Sequence, residues 1–160
     1  MEKIKEKTNA IRALEQKKIN FKFYSFKTDA AISGVEVANV LGVPVEKVYK
    51  TLVTVGKSNA HYVFVIPAAT ELDLKKAAKV ADEKNIEMIK SKDLLPLTGY
   101  VHGGCSPVGM KKQFRTFLDI SAENMPTIIV SGGKIGFQVE LAPTDLQKII
   151  PFDFANVTLI

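Results

Sequence analysis

The amino-acid sequence predicts an α+β fold, a mixed and mainly antiparallel sheet or barrel flanked by helices. Three observations predict it. Short apolar runs with strand character recur from residue 21 to residue 141. Segments with helical spacing fall between them irregularly, without the strict alternation of a Rossmann-like domain. Glycine-bearing connections, Gly56-Lys57-Ser58-Asn59-Ala60 and Gly132-Gly133, join successive runs as hairpins.

In chain order, residues 8–18 form a helix with Ile11 and Leu14 facing inward. Residues 21–26 alternate aromatic and polar side chains, as a strand does. Ser33-Gly34-Val35-Glu36 is a capping box that opens a helix with Val37, Val40 and Leu41 on one face. Gly42 ends that helix, and Pro44 starts a single turn. Strands follow at 48–55 and 61–66, then a helix at 72–82. Further strands fall at 86–89, 99–102, 114–119, 127–131 and 135–141. Ala142-Pro143-Thr144-Asp145 opens a last helix, with proline tolerated in the first turn.

The 160 residues fit one domain, 1–160, with no linker, repeat or low-complexity segment. No run approaches the ~20 apolar residues that span a bilayer. Residues 1–7 carry charges with no apolar segment behind them, unlike a secretory signal. A single cysteine, Cys105, rules out an internal disulfide and agrees with a reducing cytoplasm. The net charge of +5 permits a polyanionic partner without requiring one. With only Arg12 and Arg115 beside many lysines, the positive surface suits phosphate contact better than base-edge reading.

Three stretches bear on chemistry. Gly103-Gly104-Cys105-Ser106-Pro107-Val108-Gly109 spends three glycines and a proline on one connection. Such a loop can aim several backbone N–H groups at one oxygen. Its Gly-x-Ser-x-x-Gly spacing is one residue too long for a nucleophile elbow. Lys50 lies on a strand face with Val48, Leu52 and Thr54, either snorkelling at an edge or held in a pocket. Ser131 precedes the Gly-Gly turn, where it could hydrogen-bond a ligand. Cys105, His61 and His102 lack zinc-ligand spacing, so no metal is expected. Cys105 beside His102 is conceivable as a nucleophile, but a small residue in a glycine loop explains it equally well.

Together these residues resemble the YbaK/EbsC family of aminoacyl-tRNA deacylases, relatives of the editing domain of bacterial prolyl-tRNA synthetases. Five landmarks carry the resemblance in order: Val48-Tyr49-Lys50-Thr51-Leu52, Leu72-Asp73-Leu74-Lys75-Lys76, Thr98-Gly99-Tyr100, the 103–109 loop, and Val130-Ser131-Gly132-Gly133-Lys134. The resemblance implies the YbaK/prolyl-tRNA synthetase associated domain fold. It also implies removal of cysteine from Cys-tRNA(Pro), with Cys-tRNA(Cys) as a further substrate and prolyl-tRNA synthetase as a further partner. It implies no cofactor. Lys50 would be the central pocket residue, and Gly103-x-x-x-Pro107 the backbone loop beside the scissile ester. Tyr24, Phe26, Thr51, Gly104, Ser106, Pro107, Ser131 and Gln138 would complete the binding site. The family's chemistry is substrate-assisted, with the cysteinyl thiol attacking its own ester, which leaves Cys105 a bystander. The chain departs from the pattern at Gln138, where the family often carries aspartate. Two alternatives stay open: a non-catalytic tRNA- or synthetase-binding module, and a deacylase for another small aminoacyl group.

Overall fold

The computed structural model describes residue 4 and residues 6–159. Most of the charged N-terminal stretch read above, residues 1–3 and 5, lies outside the described residues.

Two sheets form where the apolar runs pair. The smaller has the order β1 (Lys22–Ser25), β7 (Phe137–Leu141), β6 (Ile128–Ser131), all antiparallel. The larger has the order β4 (Ile86–Met88), β2 (Tyr49–Gly56), β3 (His61–Pro67), β5 (Arg115–Asp119), β8 (Asp153–Ala155). Its β2 pairs antiparallel with β3 and β4, whereas β5 runs parallel to both β3 and β8. The mixed, mainly antiparallel character therefore holds. The sheets do not close into a barrel; they meet where Val48 bridges Ile129.

Both faces of the larger sheet are covered, so residues 62–66 of β3 are all buried. On one face Val53, Val63, Val65 and Leu118 pack with Val130 and Val139 of the smaller sheet, and with Ile11 and Leu14 of α1 (Asn9–Gln16). On the other, Phe64, Ile66 and Phe117 receive Ala77, Ala78 and Ala81 of α3 (Leu74–Ala81). Phe64 and Phe117 stack with centroids 5.3 Å apart. A third cluster sets Val37 and Ala38 of α2 (Gly34–Leu41) against Val48 and Ile129, at the junction of the sheets. The Ser33–Glu36 capping box that starts α2 is formed in both directions.

Three expectations need correction. The strand placed at 99–102 is a loop, preceded by helix α4 (Ser91–Thr98). Neither a side-chain cap nor a proline-free interior announces that helix, since Lys90 makes no cap bond and Pro96 lies inside it. Val40 is 56% exposed; Ala38 fills the inward position in its place. The Gly132-Gly133 connection is a hairpin of five residues, 132–136, closed by Gly132 N–H donating to Phe137 C=O at 2.8 Å. Strand β8, three residues long, was not expected. The last helix, α5 (Pro143–Leu146), is in place.

Candidate active site

The seam between the two sheets holds the site. Strand β4 accompanies only the Thr54–Gly56 end of β2, so the Lys50 end is open on that side. A cleft of about 290 Å3 lies there. Lys50, Thr51 and Leu52 form one wall, Ser131 and Gln138 a second, and His102, Gly103 and Cys105 a third. Ser33 and Gly34 close it at the start of α2. Gly34 sits so close to Ala68 that an added Cβ would lie 2.1 Å from the Ala68 Cβ. The sequence reading took Ser33–Glu36 only as a helix cap and missed this wall; a glycine inside a capping box is the signal that could have found it.

Lys50 is the cation of the cleft. Its side chain is 31% exposed, and its ammonium stands 3.9 Å from Glu71, a carboxylate 78% exposed and therefore well solvated. Among the described residues, no aspartate or glutamate lines the cleft. Both readings offered for Lys50, edge and pocket, describe the same geometry here.

The 103–109 loop is held from behind. Gly103 has φ +85°, and a Cβ on it would lie 2.5 Å from the Ala31 Cβ. Gly104 backs onto the 132–136 hairpin, where a Cβ would meet Ile135 N at 3.0 Å and Lys134 C at 3.1 Å. Glycine is thus required by conformation at one position and by close packing at the next. The Gly104 N–H donates to Val101 C=O at 3.0 Å; no acceptor takes the N–H of Gly103 or Cys105 among the described residues. Both of those residues line the cleft.

Several expected site residues stand elsewhere. Ser106 is fully buried, and its hydroxyl accepts the Val108 N–H at 3.2 Å, so it braces the loop from within. Pro107 is buried beside it, and neither it nor Gly104 lines the cleft. Phe26 packs into the cluster around Val37 and Val48. Tyr24 lines a different, larger cavity of about 970 Å3 and donates to Glu140 at 2.6 Å. Lys47 and Thr127 also donate to Glu140, each at 2.5 Å. Burial pushes the Glu140 carboxyl up, but these donors and the Lys47 charge outweigh it and bring the group down to about 2. That cluster is complete within itself.

The cleft is not complete. Gln138 is 6% exposed and makes no hydrogen bond from its carboxamide among the described residues. The Thr51 hydroxyl oxygen is buried without a partner. Ser131 faces Gln138 across the β6–β7 ladder, and its hydroxyl accepts the Gly133 N–H at 3.2 Å, leaving its own hydrogen to give. Cys105 is 8% exposed, and burial pushes its thiol up to about 12. It stays protonated and is a poor nucleophile.

Comparison with known proteins identifies the family. Residues 29–149 match the family model of the aminoacyl-tRNA editing domain. A protein of Enterococcus faecalis with the provisional name Cys-tRNA(Pro)/Cys-tRNA(Cys) deacylase EbsC is 47% identical over 98% of this chain and 96% of its own length. A proline–tRNA ligase of Fervidobacterium nodosum is 30% identical over 61% of this chain, which corresponds to 17% of the ligase. A crystal structure provisionally described as a trans-editing enzyme for prolyl-tRNA synthetase superposes with a TM-score of 0.85 at 24% identity. That match covers 95% of this chain and 96% of the other and shows the shared fold. By the extent of the family match and the near full-length likeness to EbsC, the chain belongs to the aminoacyl-tRNA editing domain family.

Proposed function

We propose that this protein is a trans-editing deacylase that removes cysteine from mischarged Cys-tRNA(Pro), acting in the cytoplasm as one domain over residues 1–160. The observation that carries the reading is the convergence of Lys50, Thr51, Ser131 and Gln138 with the Gly103 loop on one cleft of about 290 Å3. That volume is at the small end for ligand sites and fits a small aminoacyl group.

The chemistry asks little of the protein as a nucleophile. The cysteinyl sulfur bonds to its own acyl carbon, the ester C–O bond breaks, and the terminal ribose oxygen leaves with the thiol proton. A thiolactone and a free tRNA end result. Attack within one molecule already has a high effective molarity, so orientation and charge stabilisation are what remain to be supplied. The N–H groups of Gly103 and Cys105, unpaired among the described residues, suit the oxygen that gains charge in the transition state. Lys50 adds a positive charge on the opposite wall, toward that oxygen or the tRNA end. The protonated Cys105 thiol takes no part.

Purified protein assayed on Cys-, Ala- and Ser-tRNA(Pro), with tRNA binding measured alongside, tests this. Release of cysteine well above that of alanine and serine is expected. Binding without release of any amino acid would overturn the reading in favour of a tRNA-binding module.

A further inference from the structure

The polar groups of the cleft are an unusual set for a site that receives an aminoacyl ester. Such an ester carries an α-amine, which is an ammonium at low pH and a free base above its titration, ordinarily near 7.7–8.0. Gln138 is 6% exposed and lines the cleft, and its carboxamide has no hydrogen-bond partner among the described residues. A carboxamide offers both a donor and an acceptor. The hydroxyls of Thr51 and Ser131 do the same. An ammonium has only hydrogens to give, so it would leave the amide N–H2 facing a group of the same polarity. A neutral amine gives hydrogens and also accepts one, and so satisfies both ends of Gln138.

Charge points the same way. Around Gln138, β2 contributes Lys50 and Tyr49, the loop contributes His102 and Cys105, and β1 contributes Tyr24. Glu140 lies two residues along β7 but is held by Tyr24, Lys47 and Thr127, and it does not line the cleft. Among the described residues the one permanent charge that lines the cleft is therefore the Lys50 ammonium; Glu71, 3.9 Å from it, is 78% exposed and does not line the cleft, so the ammonium disfavours a second cation in the same small space.

We propose that the cleft selects the aminoacyl end with its α-amine uncharged, Gln138 holding the free-base nitrogen. This rests on the deacylase reading and adds to it a choice between two protonation states of the same substrate.

The test compares two non-hydrolysable competitors on full-length tRNA(Pro), amide-linked 2-aminobutyryl and amide-linked butyryl. Both match the cysteinyl skeleton without its thiol, and only the first has an amine. Their inhibition constants are measured against Cys-tRNA(Pro) deacylation from pH 6 to pH 8.5. In the wild type the amine-bearing competitor is expected to weaken at least tenfold relative to the butyryl one between pH 8 and pH 6. Gln138→Glu should reduce that relative loss to threefold or less, because a carboxylate accepts an ammonium. The loss should persist in His102→Gln, which replaces the imidazole that lines the cleft. Parallel pH dependence of the two competitors in the wild type would overturn the proposal, even if Gln138→Glu fails to fold. So would disappearance of the difference in His102→Gln, or no competition by either compound. Absence of cysteine release by the wild type would instead sink the deacylase reading, so the two failures are distinguishable.

Discussion

Gln138 and Glu140 stand two residues apart on β7, on the same face of the three-stranded sheet, and their surroundings are opposite. Glu140 receives hydrogen bonds from Tyr24 on β1, Lys47 ahead of β2 and Thr127 ahead of β6. Gln138 receives none among the described residues, though it is the more deeply buried of the two. A buried polar group with its partners supplied from three separate segments ties those segments together. One left open beside a cleft has its partner still to come, and that is what a ligand provides. The same contrast separates Ser106, braced inside the loop, from Thr51, whose hydroxyl is buried and unpaired. Two ends of one short strand thus divide into a tied end and an open end, the open end being the one proposed to receive the ligand.

The largest effect is expected on the functional side. Lys50→Ala should lower Cys-tRNA(Pro) deacylation by about 100-fold or more, the usual scale for removing a preorganised charge or donor from a transition state. Its only ion pair among the described residues is the loose one to solvated Glu71, so stability should change by no more than about 0.5 kcal/mol. Single-turnover release of cysteine and a denaturant melt check the two halves. Full activity in the variant would remove Lys50 from the site.

The structural side should respond in the reverse manner. Glu140→Gln leaves Lys47 part-buried without its counter-charge and is expected to cost about 2–4 kcal/mol of stability. The sign with pH follows from the depressed carboxyl. In the unfolded chain the group titrates near its ordinary 4.5, and in the fold near about 2. Its contribution is therefore complete above pH 4.5 and is lost as pH falls through about 2. From that difference it amounts to about 3 kcal/mol. Urea melts of wild type and Glu140→Gln between pH 7 and pH 2.5 should converge as the acid limb is entered. Parallel curves would show that Glu140 is not held as described.

How much of this was legible in the chain follows from the range of the interactions involved. Helices α1, α2 and α3 and the hairpin strands are local patterns: 3.6-residue spacing, a capping box, alternating or continuous apolar runs. Helix α4 has no cap and contains Pro96, so its local signals argue against it, and packing of Leu94 and Leu97 on the main core overrides them. Strand β8 is three residues that gain an element only by lying parallel to β5, a pairing no local pattern encodes. In the site, Lys50 was visible because a charge among strand apolars is locally anomalous. The roles of Tyr24 and Ser106 were not visible. Tyr24 and Gln138 are partners across the ladder, and what turns Tyr24 away is a hydrogen bond to Glu140, 116 residues distant in sequence. Ser106 is spent on Val108 two residues on, a choice that depends on the burial of the whole loop.

Cys105 gives a smaller effect and tests which partner supplies the nucleophile. Its side chain is buried in the main core, and its thiol is held protonated by that burial. Cys105→Ser puts a more strongly hydrated hydroxyl in the same place and should cost about 1–2 kcal/mol. Turnover measured below the melting range should stay within about threefold of wild type, the size of a modest repacking effect. A loss of more than about 100-fold with the fold preserved would assign the nucleophile to the protein.

The smallest expected change returns to β7. Gln138→Met keeps the length of the side chain and removes its amide. Because that amide makes no internal hydrogen bond among the described residues, nothing is left unpaired by its removal. Replacing a cleft-facing amide that has no partner within the fold by an apolar group of similar shape should leave stability within about 0.5 kcal/mol of wild type. Glu140→Gln, a milder chemical change two residues away, should cost several times more. Chemical melts of both variants at pH 7 decide it. If Gln138→Met loses as much as Glu140→Gln, the carboxamide has a partner inside the fold, and the division of β7 into a tied end and an open end is wrong.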